Sequence, residues 1–484
     1  MKAQEVILDP DFGIGGVGEK WSNGPSHSVG MEVDDSDLIY LFGGGLLSGL
    51  GYLNPTIVRY SSNGLLDLSF GIEGKVILDI EGGGLFRDVS FQSNGKILAL
   101  GSFPNMGYEF VLYRFHQDGR IDSSFAENGS IIFYGWEAHS VVVLENDKIL
   151  VSGDFAGKMR VVCFDAKGEV EPSFGDFGYA TGNDQGSKGK VNNLVVDQSG
   201  NIIVYGKSQS DLILKKFDAN GQPDTGFGQS GTARFETYSG HKLPFVNAAL
   251  TLQDDGKIIV GFENVSAGTY YGWGVIRFQS NGNLDAGFGD GGISLMPRIY
   301  FGRLFTVVDI SIDENGRLWL AGTSYTHNWP SDYIGALALF DSEGKITADF
   351  AENGLFIGLE TGLANGVEVN DNTLLIGGAY GFSVSRYRLD LLNPVEELDK
   401  PVYIETYPNP THTNSFSLAY KLKAPGPYLL EIFSIQGNLI TTSKLDLTKE
   451  GVIPIQLPSI PKGSYLLRLS HSDFKPHQQL ILFN

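Results

Sequence analysis

One short phrase recurs seven times in the first four-fifths of the chain, and it constrains the fold more than any other feature. Its second copy reads LDLSFGIEGKV, from Leu66 to Val76. Each copy is centred on a phenylalanine, and these are Phe12, Phe70, Phe125, Phe174, Phe227, Phe288 and Phe350. Successive phenylalanines lie 49 to 62 residues apart. Self-similarity at such a period indicates a repeat architecture, in which each unit packs against its neighbours.

Each repeat unit contains four short segments with strand-like sequence. In the second unit they are KVILDI (75–80), DVSFQ (88–92), KILALG (96–101) and FVLYRF (110–115). A polar turn that ends in glycine separates the second segment from the third, and glycine supplies the positive φ of a hairpin reversal. Seven such units predict an all-β fold, a seven-bladed β-propeller. A linear solenoid is the alternative, but it requires capping repeats at both ends, and none is evident.

The spacing of charge favours a ring. The fourth segment of most units ends in a base, and an aspartate follows eight residues later. These pairs are Arg59 and Asp67, Arg114 and Asp122, Lys216 and Asp224, and Arg277 and Asp285. In the sixth unit Leu339 replaces the base and Thr347 replaces the acid, as a paired contact requires. The third unit departs from the rule, because Cys163 precedes Glu171.

Two half-pairs remain at the ends of the repeat region. Arg386 has no acid eight residues later, and Asp9 has no strand before it. If the ring closes, the N-terminus supplies what the last unit lacks, so we predict that Asp9 approaches Arg386. The repeated phrase is then structural rather than catalytic. Its aspartate pairs at a corner between blades, its phenylalanine fills a gap, and its glycines make the turn.

Several segments resemble a known repeat family. YRFHQDGRIDSSF, IRFQSNGNLDAGFGDGGIS and QDDGKIIVGF are similar to the bacterial delta-60 repeat, a propeller-type repeat of unsettled function. The resemblance covers residues 8–390 and implies a propeller fold without implying an activity.

Strand order separates the two faces of such a disc. The tight turns and the repeated phrase lie on one face, and loops of varying length lie on the other, where function usually resides. The variable loops are rich in aromatic residues that are candidate contacts for a glycan or a protein. These candidates are Tyr270, Tyr271, Tyr300, Tyr325 and Trp329. The alternative, that these rings pack on neighbouring loops, stays open.

Charge and residue types exclude several functions. Residues 1–400 carry 28 Lys and Arg against 51 Asp and Glu, so they repel nucleic acid. No apolar run is long enough to span a membrane. Cys163 is the single cysteine, which excludes an internal disulfide. His139, His241 and His327 lie in variable loops, and they would converge only if they pointed at the central channel. We therefore expect no metal site and no cofactor.

After residue 390 the repeat stops. Residues 391–401 read as an acidic linker, and residues 402–484 alternate as strands that predict a small immunoglobulin-like β-sandwich. Its segments YPNP, LLEIFSIQGNLI and IPKGSYLLRLS resemble the C-terminal sorting domain of type IX secretion in Bacteroidota. The resemblance implies that secretion machinery recognises residues 402–484 and delivers the protein to the outer-membrane exterior. An accessory module that binds ligand or spaces the propeller is the alternative.

The start of the sequence, MKAQEVILDP, lacks the apolar core of a signal peptide, which is explained if that peptide was trimmed. Together these features predict a secreted or surface-displayed propeller in residues 1–390 that binds a glycan or a protein. No catalytic motif is present. Because carboxylates are plentiful, the alternative is an extracellular hydrolase or lyase that acts on polysaccharide with acids on the variable face.

Overall fold

The computed structural model divides the chain into two compact units, Met1–Leu391 and Leu392–Asn484. The residues it describes are 6–19, 26–46, 51–103, 109–181, 190–208, 211–235, 237–238, 241–242, 248–266, 269–296, 303–326, 333–348, 350–351, 354–359, 361–370, 372–379, 381–389, 403–407, 415–421, 425–434, 439–448, 450–457, 461, 463–471 and 474–483. Throughout these ranges the fold is all-β, without a helix.

The first unit is built from four-stranded antiparallel sheets, numbered here in chain order. Sheet 1 contains β2 (His27–Val33), β3 (Ile39–Leu46), β4 (Leu53–Tyr60) and β5 (Lys75–Ile77). Sheet 2 contains β6 (Leu85–Phe91), β7 (Ile97–Phe103), β8 (Glu109–Phe115) and β9 (Ser130–Phe133). Sheet 3 contains β10 (Trp136–Val143), β11 (Ile149–Phe155), β12 (Lys158–Phe164) and β13 (Tyr179–Thr181).

The remaining sheets of this unit follow the same plan. Sheet 4 contains β14 (Lys190–Val196), β15 (Ile202–Ser208), β16 (Asp211–Phe217) and β17 (Thr232–Phe235), and a short hairpin follows, β18 (Thr237–Tyr238) with β19 (His241–Lys242). Sheet 5 contains β20 (Ala248–Leu252), β21 (Ile258–Ser266), β22 (Thr269–Phe278) and β23 (Ile293–Leu295). Sheet 6 contains β24 (Arg303–Ile312), β25 (Leu318–Thr326), β26 (Ile334–Phe340) and β27 (Leu355–Ile357).

Sheet 7 joins the two ends of the unit. It contains β28 (Ala364–Asn370), β29 (Thr373–Gly378) and β30 (Ser383–Leu389), and its fourth strand is the N-terminal β1 (Val6–Leu8). Ile7 pairs with Arg388 across this last ladder. The N-terminus therefore completes the last sheet, as the unpaired acid at position 9 led us to expect.

The grouping of strands differs from the sequence-based expectation in one respect. We expected residues 75–80 to lead the unit that contains residues 88–115, but Lys75–Ile77 pairs with β4 of the preceding sheet. The physical reason lies in the repeated phrase, which reverses the chain, so that the strand after it returns antiparallel onto the strand before it. Each sequence unit is consequently shared between two sheets.

The first strand of each sheet lies beside the first strand of the next sheet, and β28 lies beside β2, so the contacts between sheets form a closed cycle. We call these seven first strands the inner strands. A separate hydrophobic cluster fills each junction between consecutive sheets. At the junction of sheets 7 and 1, Phe382 and Val384 pack with Leu41 and Val58. Burial of apolar surface between sheets, at about 25 cal/mol per Å², thus drives closure of the cycle.

The second unit has two antiparallel sheets that share one core. Its strands are β31 (Tyr403–Tyr407), β32 (Ser415–Lys421), β33 (Gly426–Ser434), β34 (Leu439–Leu447), β35 (Glu450–Gln456), β36 (Gly463–His471) and β37 (Phe474–Phe483). One sheet has the order β31-β32-β35 and the other β34-β33-β36-β37. Leu418 of the first sheet and Ile432 and Leu467 of the second belong to one buried cluster, so the two sheets pack face to face.

Candidate functional site

The repeated phrase forms a buried contact that we call the corner clip. In sheet 2 the Arg114 Nε donates to Asp122 Oδ2 at 2.8 Å, and the guanidinium carbon lies 4.4 Å from the centre of the Phe125 ring. The two charged side chains are only 5% and 3% exposed. The same triplet occurs as Arg59, Asp67 and Phe70, as Arg277, Asp285 and Phe288, and as Arg386, Asp9 and Phe12.

The corner clip also joins each sheet to the next. Arg114 Nη1 donates to the Ala166 carbonyl of sheet 3, and the Ala126 amide donates to the Lys167 carbonyl at 2.9 Å. Gly168, in the same turn of sheet 3, has a φ of +91°, and a Cβ there would lie 2.7 Å from the Phe125 ring. Glycine is required at this position because the phenylalanine of the neighbouring sheet occupies the space.

The last clip closes the ring. Arg386 Nε donates to Asp9 Oδ2 at 2.7 Å, and Arg386 Nη1 donates to the Ser62 carbonyl of sheet 1 at 3.0 Å. Arg388 adds a second contact with Asp9, at 2.6 Å. The structure therefore brings the predicted pair together and links it onward to the first sheet.

The other three sheets depart from this triplet. In sheet 4 a lysine stands in place of the arginine, and Lys216 Nζ lies 3.9 Å from Asp224 Oδ2. In sheet 3, where Cys163 is buried, Lys148 Nζ lies 3.0 Å from Glu171 Oε2, so the base comes from the neighbouring strand. In sheet 6, the Trp319 ring packs edge-on against Phe350 with centroids 5.3 Å apart. The indole takes the position that an arginine occupies elsewhere, which explains why base and acid are lost together in that unit.

The pKa values of two clip acids show the effect of this pairing. Burial acts to raise the pKa of Asp122, but hydrogen bonds from Lys96 and Ser124 and the charge of Arg114 bring it well below its usual range. The pKa of Asp9 is likewise lowered, because hydrogen bonds from Asp11 N–H, Arg386 and Arg388 outweigh burial. Carboxylates that are paired, hydrogen-bonded and buried in this way hold the fold together and present no free oxygen to a substrate.

A second set of acids projects from the inner strands. Asp88 accepts hydrogen bonds from its neighbour Val89 N–H and, at 2.7 Å, from Val141 N–H of the next sheet. Asp309 does the same in sheet 6, where its second oxygen accepts from Val367 N–H at 2.9 Å. Burial raises the pKa of both aspartates to about 6. These two side chains therefore bridge adjacent inner strands.

Glu32 and Glu368 lie one layer further along the inner strands of sheets 1 and 7. Both side chains have solvent-exposed surface. The protein atoms around them nevertheless displace much of the water that would stabilise a charged carboxylate, and this desolvation raises the pKa of Glu368 to about 7. Burial, together with the charges of Asp88, Asp309 and Glu368, raises the pKa of Glu32 well above its usual value. The charges that act on Glu32 thus come from acids on the inner strands of sheets 2, 6 and 7, and their repulsion adds to the effect of burial.

Aromatic side chains lie on the face opposite the corner clips, which we call the variable-loop face. It is formed by the connections from the second to the third strand of a sheet and from the fourth strand to the next sheet. Tyr325, at the end of β25, stacks on Tyr333 with centroids 5.1 Å apart and planes inclined by 23°. Tyr333 is 49% exposed, and Tyr134, between β9 and β10, is 72% exposed.

The other aromatic candidates are less fully described. Tyr270 and Tyr271 lie on β22, and Tyr300 and Trp329 lie outside the described residues. Of the five sequence-based candidates, Tyr325 is the one whose ring contact the structure describes. Tyr333 and Tyr134 were missed, although their place in loops between strands, off the core pattern of the repeat, was a usable signal.

One group of side chains has the types and spacing of metal ligands. Glu137 and His139 of β10 and Asp154 of β11 place their ligand atoms within 4.8 Å of one another at the variable-loop face. We expected His139, His241 and His327 in variable loops, but His139 lies on β10 and His241 on β19, and His327 lies outside the described residues. Sequence reasoning missed the group because its members are separated in the chain and meet only through strand pairing.

Comparison with known families bears on both units. Residues 405–482 match the family of the secretion system C-terminal sorting domain. Residues 92–125 and 253–288 match a domain of unknown function, DUF5122, which is described as a β-propeller. The first unit is thus a β-propeller, and the second carries a type IX sorting domain, as the sequence resemblance predicted. No curated protein matches the chain.

Several solved structures are remotely similar. A protein of unknown function from Bacteroides caccae is 17% identical, with 66% of this chain and 99% of that chain covered and a TM-score of 0.34. Drosophila Plexin A in complex with Semaphorin 1b is 10% identical, with coverage of 80% and 88% and a TM-score of 0.42. The calcium-binding protein regucalcin from Agrobacterium tumefaciens is 11% identical, with coverage of 63% and 90% and a TM-score of 0.35.

The sorting domain indicates where the protein acts. A type IX sorting domain implies interaction with the secretion machinery, and hence secretion or display at the cell surface. Across the described ranges, no helical segment has the length and apolarity needed to cross a membrane.

Proposed function

We propose that this protein is a seven-bladed β-propeller, exported by means of a C-terminal immunoglobulin-like sorting domain, that binds a carbohydrate outside the cell through its variable-loop face. The cycle of inner strands and the N-terminal strand in sheet 7 support the seven blades. The two sheets with a common core in residues 403–483 support the sandwich.

The stacked pair of Tyr325 and Tyr333 is the observation that favours a carbohydrate as the ligand. A stacked, partly exposed aromatic pair that carries hydroxyl groups suits a sugar ring, which has apolar C–H faces and polar edges. Tyr134 offers a further exposed ring on the same face. The opposite face is occupied by corner clips, whose polar groups are already paired with each other.

A polysaccharide-active enzyme is the second candidate, and the acids of the inner strands are the observation that favours it. A glycosidase requires two carboxyl groups whose environments move their pKa values apart, so that one is protonated and the other ionised. Here the pKa values of all four acids are raised, and both aspartates are engaged by backbone amides. This arrangement supports binding over catalysis.

A glycan array tests the proposal with the full chain. We expect the wild-type protein to bind a defined set of glycans, and the variant Tyr134→Ala, Tyr325→Ala, Tyr333→Ala to bind them at least about tenfold more weakly, since each ring contributes about 1 kcal/mol. The matched control is the double variant Ile72→Ala with Phe177→Ala. Both side chains are on the opposite face, where Ile72 is 77% exposed and Phe177 is 81% exposed.

The outcomes separate the candidates. Equal loss in both variants would contradict a site on the variable-loop face. Absence of any glycan signal from the wild type would overturn the choice of carbohydrate. Release of new reducing ends from a bound glycan, abolished by Glu32→Gln with Glu368→Gln, would establish the enzyme instead.

A further inference from the structure

The group formed by Glu137, His139 and Asp154 has an unusual internal geometry. His139 Nε2 lies 3.5 Å from Asp154 Oδ2, and one ligand atom from each of the three residues lies within 4.8 Å of those of the other two. Metal–ligand bonds of about 2.0–2.2 Å place tetrahedral ligand atoms about 3.3–3.5 Å from each other. The observed separation is therefore that of two ligands on one ion.

The two central atoms also lack other partners. Asp154 is 8% exposed, and its Oδ1 accepts a hydrogen bond from Val191 N–H at 2.9 Å. Its Oδ2 and the Nε2 of His139 are sealed from solvent without a hydrogen-bond partner. Buried polar atoms are satisfied in the large majority of cases, so two facing atoms without a hydrogen bond indicate that another group belongs between them.

A direct ion pair explains these atoms less well. A charge-assisted hydrogen bond from protonated histidine to a carboxylate is about 2.7–2.9 Å long. The buried pair of Arg114 and Asp122 in the same fold reaches 2.8 Å, whereas His139 and Asp154 remain 3.5 Å apart. A cation held between them satisfies both atoms at this spacing without requiring the imidazole to be protonated.

The local fold explains why the group occurs in this sheet. The register of β10 against β11 shifts between Ala138 and Ser140, so His139 is the extra residue of a β-bulge. A bulge re-aims a side chain and is common beside functional sites. In sheets 2 and 4 the same bulge carries Arg87 and Asn192, which offer no imidazole to a metal.

We propose that Glu137, His139 and Asp154 bind one divalent transition-metal ion of the Zn²⁺ type. One imidazole nitrogen and two carboxylates suit zinc, whereas calcium takes oxygen ligands. Three protein ligands leave a coordination position for water or for a ligand group. Glu137 is exposed, so that position opens onto the variable-loop face.

The test is zinc binding by the tag-free full chain after removal of metals with a chelator. Equilibrium dialysis against ZnCl₂ with metal quantified by mass spectrometry is expected to give one tightly bound zinc per chain. His139→Ala and Asp154→Asn are each expected to weaken binding at least about tenfold, the loss typical when a metal site is disturbed. Asp154→Asn keeps the oxygen that accepts from Val191 N–H, so we expect this variant to retain the fold.

His116→Ala is the matched control. Its Nε2 also lies near a carboxylate, 3.6 Å from Asp122 Oδ1, but this side chain is 45% exposed and the acid is already paired with Arg114 and Lys96. We expect this variant to bind zinc as the wild type does. The same dialysis with CaCl₂ is expected to show no binding at this site, measured as the difference between wild type and His139→Ala.

Three outcomes would overturn the proposal: no tight zinc in the wild type, full binding by His139→Ala, or equal loss in His116→Ala. Circular dichroism of every variant in chelator establishes that a loss of metal is not a loss of fold. If Asp154→Asn unfolds, His139→Ala still tests the proposal, because the His139 side chain is partly exposed and its removal disturbs the fold less.

Discussion

At the scale of single residues, two kinds of acid behave in opposite ways. Hydrogen bonds and the charge of Arg114 lower the pKa of Asp122, whereas burial and neighbouring acids raise the pKa of Glu32 and Glu368 on two adjacent inner strands. The sequence predicted the first kind, since pairing imposes a fixed spacing along the chain. It could not predict the second kind, because Glu32 and Glu368 are neighbours only once the ring has closed.

The corner clip makes a direct prediction about stability. Asp122→Ala removes the partner of a buried arginine and is expected to lower the free energy of unfolding by about 3 kcal/mol or more. The matched control is Asp118→Ala in the same turn, whose partner Arg120 is 80% exposed, and a change below about 0.5 kcal/mol is expected there. Urea unfolding measures both, and equal effects would show that burial of the clip is unimportant.

The raised pKa values of Glu32 and Glu368 predict that the stability of the fold decreases as pH rises. A carboxyl group whose pKa is raised by folding contributes stability while protonated, and that contribution is lost as pH rises through the folded pKa. For Glu368, with a pKa of about 7, the loss spans roughly pH 4.5 to pH 7. The variant Glu32→Gln with Glu368→Gln is therefore expected to melt about 2 °C or more above wild type near pH 7.5, and at the same temperature near pH 4.5.

Glu343→Gln is the control for this measurement, because Glu343 is 72% exposed and lies between β26 and β27 and not on an inner strand. Thermal melts followed by circular dichroism at the two pH values give the result. A stabilisation that is equal at both pH values would contradict electrostatic repulsion as its cause.

At the scale of strands and sheets, the sequence predicted where the strands lie better than which strands pair with each other. The alternating and apolar runs located the four strands of a unit, but Lys75–Ile77 belongs to the preceding sheet. Pairing is decided by the turn between strands, and the turn geometry is visible only in the structure. The same limit hid the metal-ligand group, since a bulge in β10 brings His139 beside Asp154.

Sheet 6 offers a test of how one contact replaces another. Trp319→Leu introduces the residue found at the equivalent position of sheet 2, Leu98, and removes the ring that packs on Phe350. The expected cost is about 3 kcal/mol, the loss typical of a large buried aromatic side chain. Adding Leu339→Arg and Thr347→Asp rebuilds a corner clip and is expected to recover a large part of that loss in urea unfolding. No recovery would mean that indole and clip are not interchangeable.

At the scale of the whole molecule, the sorting domain and the groups of the proposed binding site belong to different units. The sorting domain comprises a compact body of its own, and the propeller holds every group proposed here to contact a ligand. The composition predicted this division, because the repeated phrase and the acidity both stop near residue 390. The sequence could not select the exposed tyrosines of the proposed site, since the exposure of a loop side chain depends on packing and not on periodicity.

The assignment of loops to two faces depends on a ring that the N-terminal strand closes, and one cross-link tests it directly. Ile7 and Arg388 are partners in the ladder between β1 and β30, and the single natural cysteine, Cys163, is buried. Oxidation of the variant Ile7→Cys with Arg388→Cys is expected to give a disulfide between these positions, identified by mass spectrometry of the unreduced digest. Ile7→Cys alone is the control and is expected to keep its thiol free. If both engineered thiols of the double variant also stay free, the ring is not closed in this way.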